Sequence, residues 1–368
     1  MLHFLLYLII PSLLMSEPTD EHFYSGYGHA ALRFQCPELE TDFVYDYAGE
    51  RMDNRFPAFM AGRLKMGLEV METKDYLARE VAEVHEYPIT ISDTLLYALC
   101  AVLDSAYREG FNRSYDPVTG SCCLMLYRYM NEAARLANRP IPYGPWTEDY
   151  DLSIRELSDR YSTHCPWTDV MYNTLGDASL SNRNLSKSRK VLYPKQLLER
   201  WQSASIINSQ FSILKPGLSE REPSKCSPFL VAGILVALAA LFMFTGWKPL
   251  QVLFMVLIGA MGLLQTYLLC FSQLPHTGWS WLLLPFNLLP LICWRWRRYW
   301  SLPYAAALAI VILYVNLQPI FSPQSSMSSP LSLFYILVSS AIGLFYIGVF
   351  FQCIKEKPLR LWNMEIRF

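Results

Sequence analysis

His29 and the cysteines Cys122 and Cys123 are the residues in this chain whose types and setting could do chemistry. The histidine lies in Tyr24-Ser25-Gly26-Tyr27-Gly28-His29-Ala30-Ala31-Leu32-Arg33-Phe34, where a Gly-punctuated turn runs into an apolar, β-prone segment. Its imidazole is therefore expected at the edge of a sheet. Gly120-Ser121-Cys122-Cys123 opens a long helical pattern further along the chain. A free thiol titrates near pH ~8.5 and is mostly protonated at neutrality. An adjacent imidazole can take that proton, and a helix N-terminus stabilises the thiolate left behind. Helical position does not choose between Cys122 and Cys123 as the nucleophile. A third group normally orients the imidazole, and the next strand offers Tyr45, Asp46 and Tyr47. Asp46 has the carboxylate that could fix the tautomer. Ser25 and the first amides of the Cys122 helix are candidates for an oxyanion site, although a Ser before Gly also shapes turns. The plainer alternative is two small buried cysteines and one structural histidine.

The elements needed to position these groups are legible in outline. Ala30–Phe34 and Phe43–Tyr47 alternate as neighbouring strands around a polar loop at Pro37-Glu38-Leu39-Glu40. Met52–Met66 is mixed, a short helix with a loop, and the weak alternation of Glu69–Val84 predicts one or two further strands. Ser92 caps a predicted helix to Tyr107 with Leu95, Leu96, Leu99, Val102 and Leu103 on one face. Ser121 caps another to about Asn138. Residues 1–16 are an apolar run that resembles a signal sequence or N-terminal anchor. The Cys–His domain is expected over 17–207, and a polar linker over 208–227.

From Pro228 the chain becomes apolar and poor in charge. Five spans are predicted, at Pro228–Trp247, Leu250–Phe271, Trp279–Trp294, Leu302–Phe321 and Leu331–Ile354, followed by a tail over 355–368. Lys248 lies between the first two, Arg295, Arg297 and Arg298 between the third and fourth, and Lys355, Lys357 and Arg360 after the fifth. The other two loops, Ser272–Gly278 and Ser322–Pro330, carry no charge. The positive-inside rule then puts the C-terminus in the cytoplasm and the Cys–His domain outside. Net charge of −1 gives no case for nucleic acid. Nine cysteines without CxxC pairs argue against zinc and against a disulfide scaffold. No phosphate loop or other cofactor signature is present.

A wider pattern adds to this. Phe23–Arg33, then Val44-Tyr45-Asp46-Tyr47-Ala48-Gly49, Asn54-Arg55-Phe56 and Ala61-Gly62-Arg63 resemble the N-terminal domain of Lnb-type bacterial lipoprotein N-acyltransferases. His276-Thr277-Gly278-Trp279 and Leu284–Pro290 look like that family's outer loop and Pro-x-Asn-Leu helix, so the resemblance covers most of the chain. It implies an α+β, permuted papain-like (NlpC-like) extracytoplasmic domain followed by an all-α transmembrane bundle of about five helices. It also implies an acyl-thioester enzyme without cofactor, at the bacterial inner membrane with its catalytic domain in the periplasm. The acyl donor would be a membrane phospholipid and the acceptor the N-terminal amine of a diacylglyceryl-cysteine lipoprotein. Aligning the family's single cysteine favours Cys122. Ser121 stands where that family has Asn, and Cys123 where it has Ser or Thr. His276 and Asn287 become substrate-contact candidates, with helix packing the alternative for Asn287. Two other functions fit the same residues: a membrane-tethered cysteine peptidase or amidase, and a non-catalytic binding or scaffolding protein.

Overall fold

The computed structural model describes residues 8–19, 21, 25–49, 56–116, 119–145, 157–158, 161, 165–168, 170, 191–217, 227–273, 286–321, 330–356, 359–361 and 364–366. The chain divides into two units. One holds Met1–Thr168, Ser179–Pro223 and Ser272–His276, and the other Asp169–Ala178, Ser224–Phe271 and Thr277–Phe368.

The first unit is α+β, built on a seven-stranded antiparallel sheet. Its strands are β1 (Ile10–Ser16), β2 (His29–Cys36), β3 (Thr41–Gly49), β4 (Lys65–Glu72), β5 (Val84–Pro88), β6 (Arg113–Ser114) and β7 (Ser212–Lys215). Their spatial order is β6-β4-β3-β2-β1-β5-β7. The expected neighbours β2 and β3 pair with Leu32 opposite Tyr45 and Cys36 opposite Thr41. A 3-10 turn at Pro37–Leu39 joins them. Five helices complete the described part: α1 (Phe56–Met60), α2 (Thr73–Arg79), α3 (Asp93–Glu109), α4 (Cys122–Leu136) and α5 (Pro194–Ser203). The two long helices pack on each other, and α4 lies against β2 and β3. Leu95, Leu96, Leu99 and Leu103 are the buried stripe of α3, at the helical spacing read from the sequence.

Three segments take forms that their local pattern left open. Residues 10–16 form a sheet strand, with β2 on one side and β5 on the other. Leu13 and Leu14 are wholly buried, because a strand covered on both faces has no polar side to show. Such a run looks the same as a signal core in sequence. The globular unit therefore includes residues placed outside 17–207. It also takes in β7, which pairs with β5 from within the expected linker. The third lies in Glu69–Val84, where Thr73–Arg79 is a helix rather than strand. Thr73 and Tyr76, three residues apart, are its buried contacts, and Tyr76 joins Leu14, Ala31, Val44 and Val84 in one core cluster. Truncating Leu14 to Ala is expected to destabilise the protein by about 2–5 kcal/mol, the usual range for emptying a core leucine site. Urea unfolding of the variant measures this.

The second unit is helical: α6 (Pro228–Thr245), α7 (Lys248–Cys270), α8 (Leu289–Ile292), α9 (Arg297–Phe321) and α10 (Pro330–Glu356), then a small hairpin of β8 (Leu359–Leu361) and β9 (Met364–Ile366). Among the described residues, three segments are long and apolar enough to cross a membrane: Pro228–Thr245, Lys248–Cys270 and Phe334–Glu356. Their shared core includes Phe242, Phe254, Ala341, Phe345 and Tyr346, with the Phe254 and Phe345 rings stacked at 5.1 Å. The expected span Trp279–Trp294 is not one continuous helix. Trp279–Pro285 lies outside the described residues, and 286–296 holds only the single turn α8 and a 3-10 turn at Trp294–Trp296. Pro290 sits in that turn. The segment still runs back along α7, since a Cβ on Gly262 would meet Asn287 and Leu288, and one on Gly259 would meet Leu291.

Candidate active site

The site is assembled by a turn, two strands and a helix start. His29 is the first residue of β2 and sits opposite Ser16 of β1. Gly28 before it has φ of +75°, and a Cβ there would lie 2.5 Å from the Ser16 carbonyl oxygen. Only glycine fits this entry to the strand. The Gly28 N–H donates to the Ser25 carbonyl at 3.0 Å, which closes the turn. The Ser25 hydroxyl lies 2.8 Å from Thr19 Oγ1 and donates to the Thr19 carbonyl at 3.0 Å. These contacts hold Ser25 in the turn.

Asp46, on the neighbouring β3, is completely buried. Its Oδ1 lies 2.5 Å from His29 Nε2, and its Oδ2 accepts from Arg79 Nη2. Arg79 in turn donates to Glu69 at 3.0 Å, and Glu69 is the residue opposite Asp46 on β4. The carboxylate thus has a cationic or hydrogen-bonding partner on each oxygen, as a buried charge requires. Nε2 is engaged with Asp46, which leaves Nδ1 as the ring nitrogen for a second partner. Of the other two strand candidates, Tyr45 donates to Asp104 at 3.0 Å on an exposed face. Tyr47 is buried.

Besides Asp46, the group whose charge and hydrogen bonding act on the ring is Cys122. Ser121 is the N-cap of α4, its hydroxyl accepting from the Leu124 N–H at 3.2 Å, so Cys122 is the first helical residue. It is half-buried, whereas Cys123 is wholly buried on the core side of α4. The two sulfurs lie 3.7 Å apart. Cys122 is held well below the usual thiol range by a hydrogen bond from Cys123. Burial opposes this, and the charge and hydrogen bonding of His29 and the Ala30 amide support it. For His29, burial favours the neutral ring, but Asp46 and the Cys122 sulfur outweigh it and raise the imidazole well above its ordinary value. Burial also works against the Asp46 charge, and His29 and Arg79 overcome it, leaving the carboxyl below its ordinary range. Cys123 moves the other way, raised by burial and by the neighbouring Cys122 sulfur. The arrangement is a lowered thiol and a raised imidazole, with the imidazole backed by a carboxylate. It can make a covalent bond to an electrophilic carbonyl and hand a proton to the group that leaves.

The two thiols thus move in opposite directions across one 3.7 Å contact. Replacing Cys123 with Ala is expected to move the midpoint of Cys122 alkylation upward in pH, with Cys123→Ser holding it close to the native position. Iodoacetamide labelling across pH, read by peptide mass spectrometry, makes this comparison.

Asn287 donates to the Tyr304 hydroxyl at 2.5 Å and accepts from the Leu289 N–H at 3.0 Å, which ties α8 to α9. His276 lies outside the described residues. Arg79 and Glu69 were not singled out in the sequence, because the segment between them read as strand. Their signal was the single exposed-type arginine at the end of a seven-residue helix facing an acidic strand. Among the described residues, no three of His, Cys, Asp and Glu are grouped to hold a metal ion. Comparison of the chain with protein-family models, curated proteins and solved structures gives no match.

Proposed function

We propose that the protein is a membrane-embedded lipoprotein N-acyltransferase with Cys122 as nucleophile, His29 as acid–base and Asp46 as the group that orients it. The observation that supports the chemistry is the buried Asp46–His29 contact, with Cys122 lowered and His29 raised. The choice of acyl transfer over other cysteine chemistry rests on the resemblance and on the helices able to cross a membrane, which would bring the enzyme to lipid substrates.

The Cys122 thiolate attacks an ester carbonyl carbon of a phospholipid. The ester C–O bond breaks as the His29 imidazolium protonates the departing glycerol oxygen, which releases a lysophospholipid and leaves an acyl-thioester. The neutral amine of a diacylglyceryl-cysteine then attacks the thioester. His29 takes the amine proton, the C–S bond breaks, and the amide and the thiolate are formed. Backbone amides at the start of α4 would stabilise the oxyanion in both halves. The resemblance further assigns a permuted papain-like domain and five crossings of a bacterial inner membrane. The basic residues mark the cytoplasmic end of the helices, and the Cys–His domain would lie in the periplasm.

The test is mass spectrometry of a model lipoprotein from a host depleted of its own N-acyltransferase. Expression of this protein is expected to add a third acyl chain. If the native protein is inserted and adds none, the transferase reading fails. A cleaved peptide or amide product would instead identify a hydrolase.

A further inference from the structure

The helical unit is strongly polarised in charge. Between Pro228 and Glu356 the sequence has five cations, Lys248, Arg295, Arg297, Arg298 and Lys355, and one carboxylate, Glu356. The packing of the helices brings the cations to one end. A Cβ on Gly246, at the α6–α7 junction beside Lys248, would collide with the Gln352 side chain of α10. Arg297, at the start of α9, lies 3.7 Å from Glu356 at the end of α10. The single carboxylate is thus already engaged. Among the described residues, Lys248, Arg295 and Lys355 have no ion-pair partner, and all three are exposed. Large aromatic side chains are exposed beside them: Trp247 at 57%, Trp296 at 58% and Tyr299 at 69%. Arg297 itself stacks over the Trp294 ring at 5.4 Å.

We infer that this end of the helical unit is a binding belt for anionic phospholipid headgroups. Trp and Tyr side chains settle at the headgroup level of a bilayer, and unpaired Lys and Arg there attract phosphate-bearing lipids. Lipid acyl chains would meet the exposed apolar residues Leu289 and Ile292 next to the arginines. A zwitterionic headgroup satisfies the geometry but not the surplus of charge, so the belt selects lipids with net negative charge. This conclusion is independent of the acyl-transfer reading and of which side of the membrane the belt faces.

The experiment is native mass spectrometry of the full chain released from nanodiscs of equal phosphatidylglycerol and phosphatidylcholine. The native protein is expected to retain phosphatidylglycerol at least tenfold over phosphatidylcholine. Arg295→Gln should cut that preference about fivefold, and Arg295→Gln combined with Lys355→Gln should nearly erase it. Among the described residues neither side chain has an ion pair to lose, so both variants should insert normally. Cys122→Ser should keep the native preference, which separates this belt from a donor lipid at the catalytic cysteine. Equal retention of the two lipids by the native protein overturns the assignment. So does a native preference persisting in the double variant, or a loss of preference in Cys122→Ser.

Discussion

Cys122→Ser is expected to lower acyl transfer by on the order of 10³-fold or more and to abolish the acyl-thioester. A serine hydroxyl at the same helix N-terminus stays protonated at neutral pH, so the charge that pairs with His29 disappears together with the nucleophile. Intact-protein mass spectrometry of native enzyme incubated with phospholipid should find the mass of one acyl chain on Cys122. Treatment with neutral hydroxylamine should remove it, because thioesters react where amides do not. An adduct that persists in Cys122→Ser, or that maps to Cys123, would refute the assignment of the nucleophile. His29→Ala should prevent adduct formation as well, since it removes both the proton acceptor and the charge that holds the thiolate.

Asp46→Ala should reduce transfer by about 10²–10⁴-fold while leaving Cys122 in place. The carboxylate has two tasks. Its Oδ1 holds Nε2 of His29, and its Oδ2 holds Arg79. Without it the imidazole can rotate, and it loses the charge that keeps it protonated. The pH dependence carries the sign of this effect. Native activity requires the thiolate and the imidazolium together, so it falls on the acid side as Cys122 is protonated and on the alkaline side as His29 loses its proton. Cys122 is lowered and His29 raised, which moves the two limbs apart and widens the native plateau. Asp46→Asn preserves shape but not charge, and should draw the alkaline limb down toward neutral pH. An unchanged alkaline limb would show that Asp46 does not act through His29. The loss in stability should be less than the ~3–5 kcal/mol of a fully buried broken pair, because Arg79 is 41% exposed and keeps Glu69.

The divergence between expectation and structure is concentrated in segments whose local pattern has two solutions. Ile10–Ser16 is one. An uncharged, mostly apolar heptamer reads locally as a leader core or a central strand, and its pairing with β2 and β5 comes from residues far along the chain. Thr73–Arg79 is the other, where weak alternation hid a two-turn helix. That error concealed Arg79, and with it the second partner of the Asp46 carboxylate.

The sequence by itself determined the identities of the reacting groups and the local elements that carry them. Gly28 before His29 required a turn into a strand, and Ser121 before Cys122 required a helix start, because φ and capping preferences act within a few residues. It also determined that the C-terminal part is apolar with its cations in particular loops, since hydropathy and charge are properties of composition. Tertiary structure alone decided that Asp46 rather than Tyr45 or Tyr47 faces His29, and that Cys122 rather than Cys123 is accessible. It alone gathered Lys248, Arg297 and Lys355 to one end of the helices. These outcomes depend on strand register and helix packing between residues far apart in the chain, which no local pattern encodes.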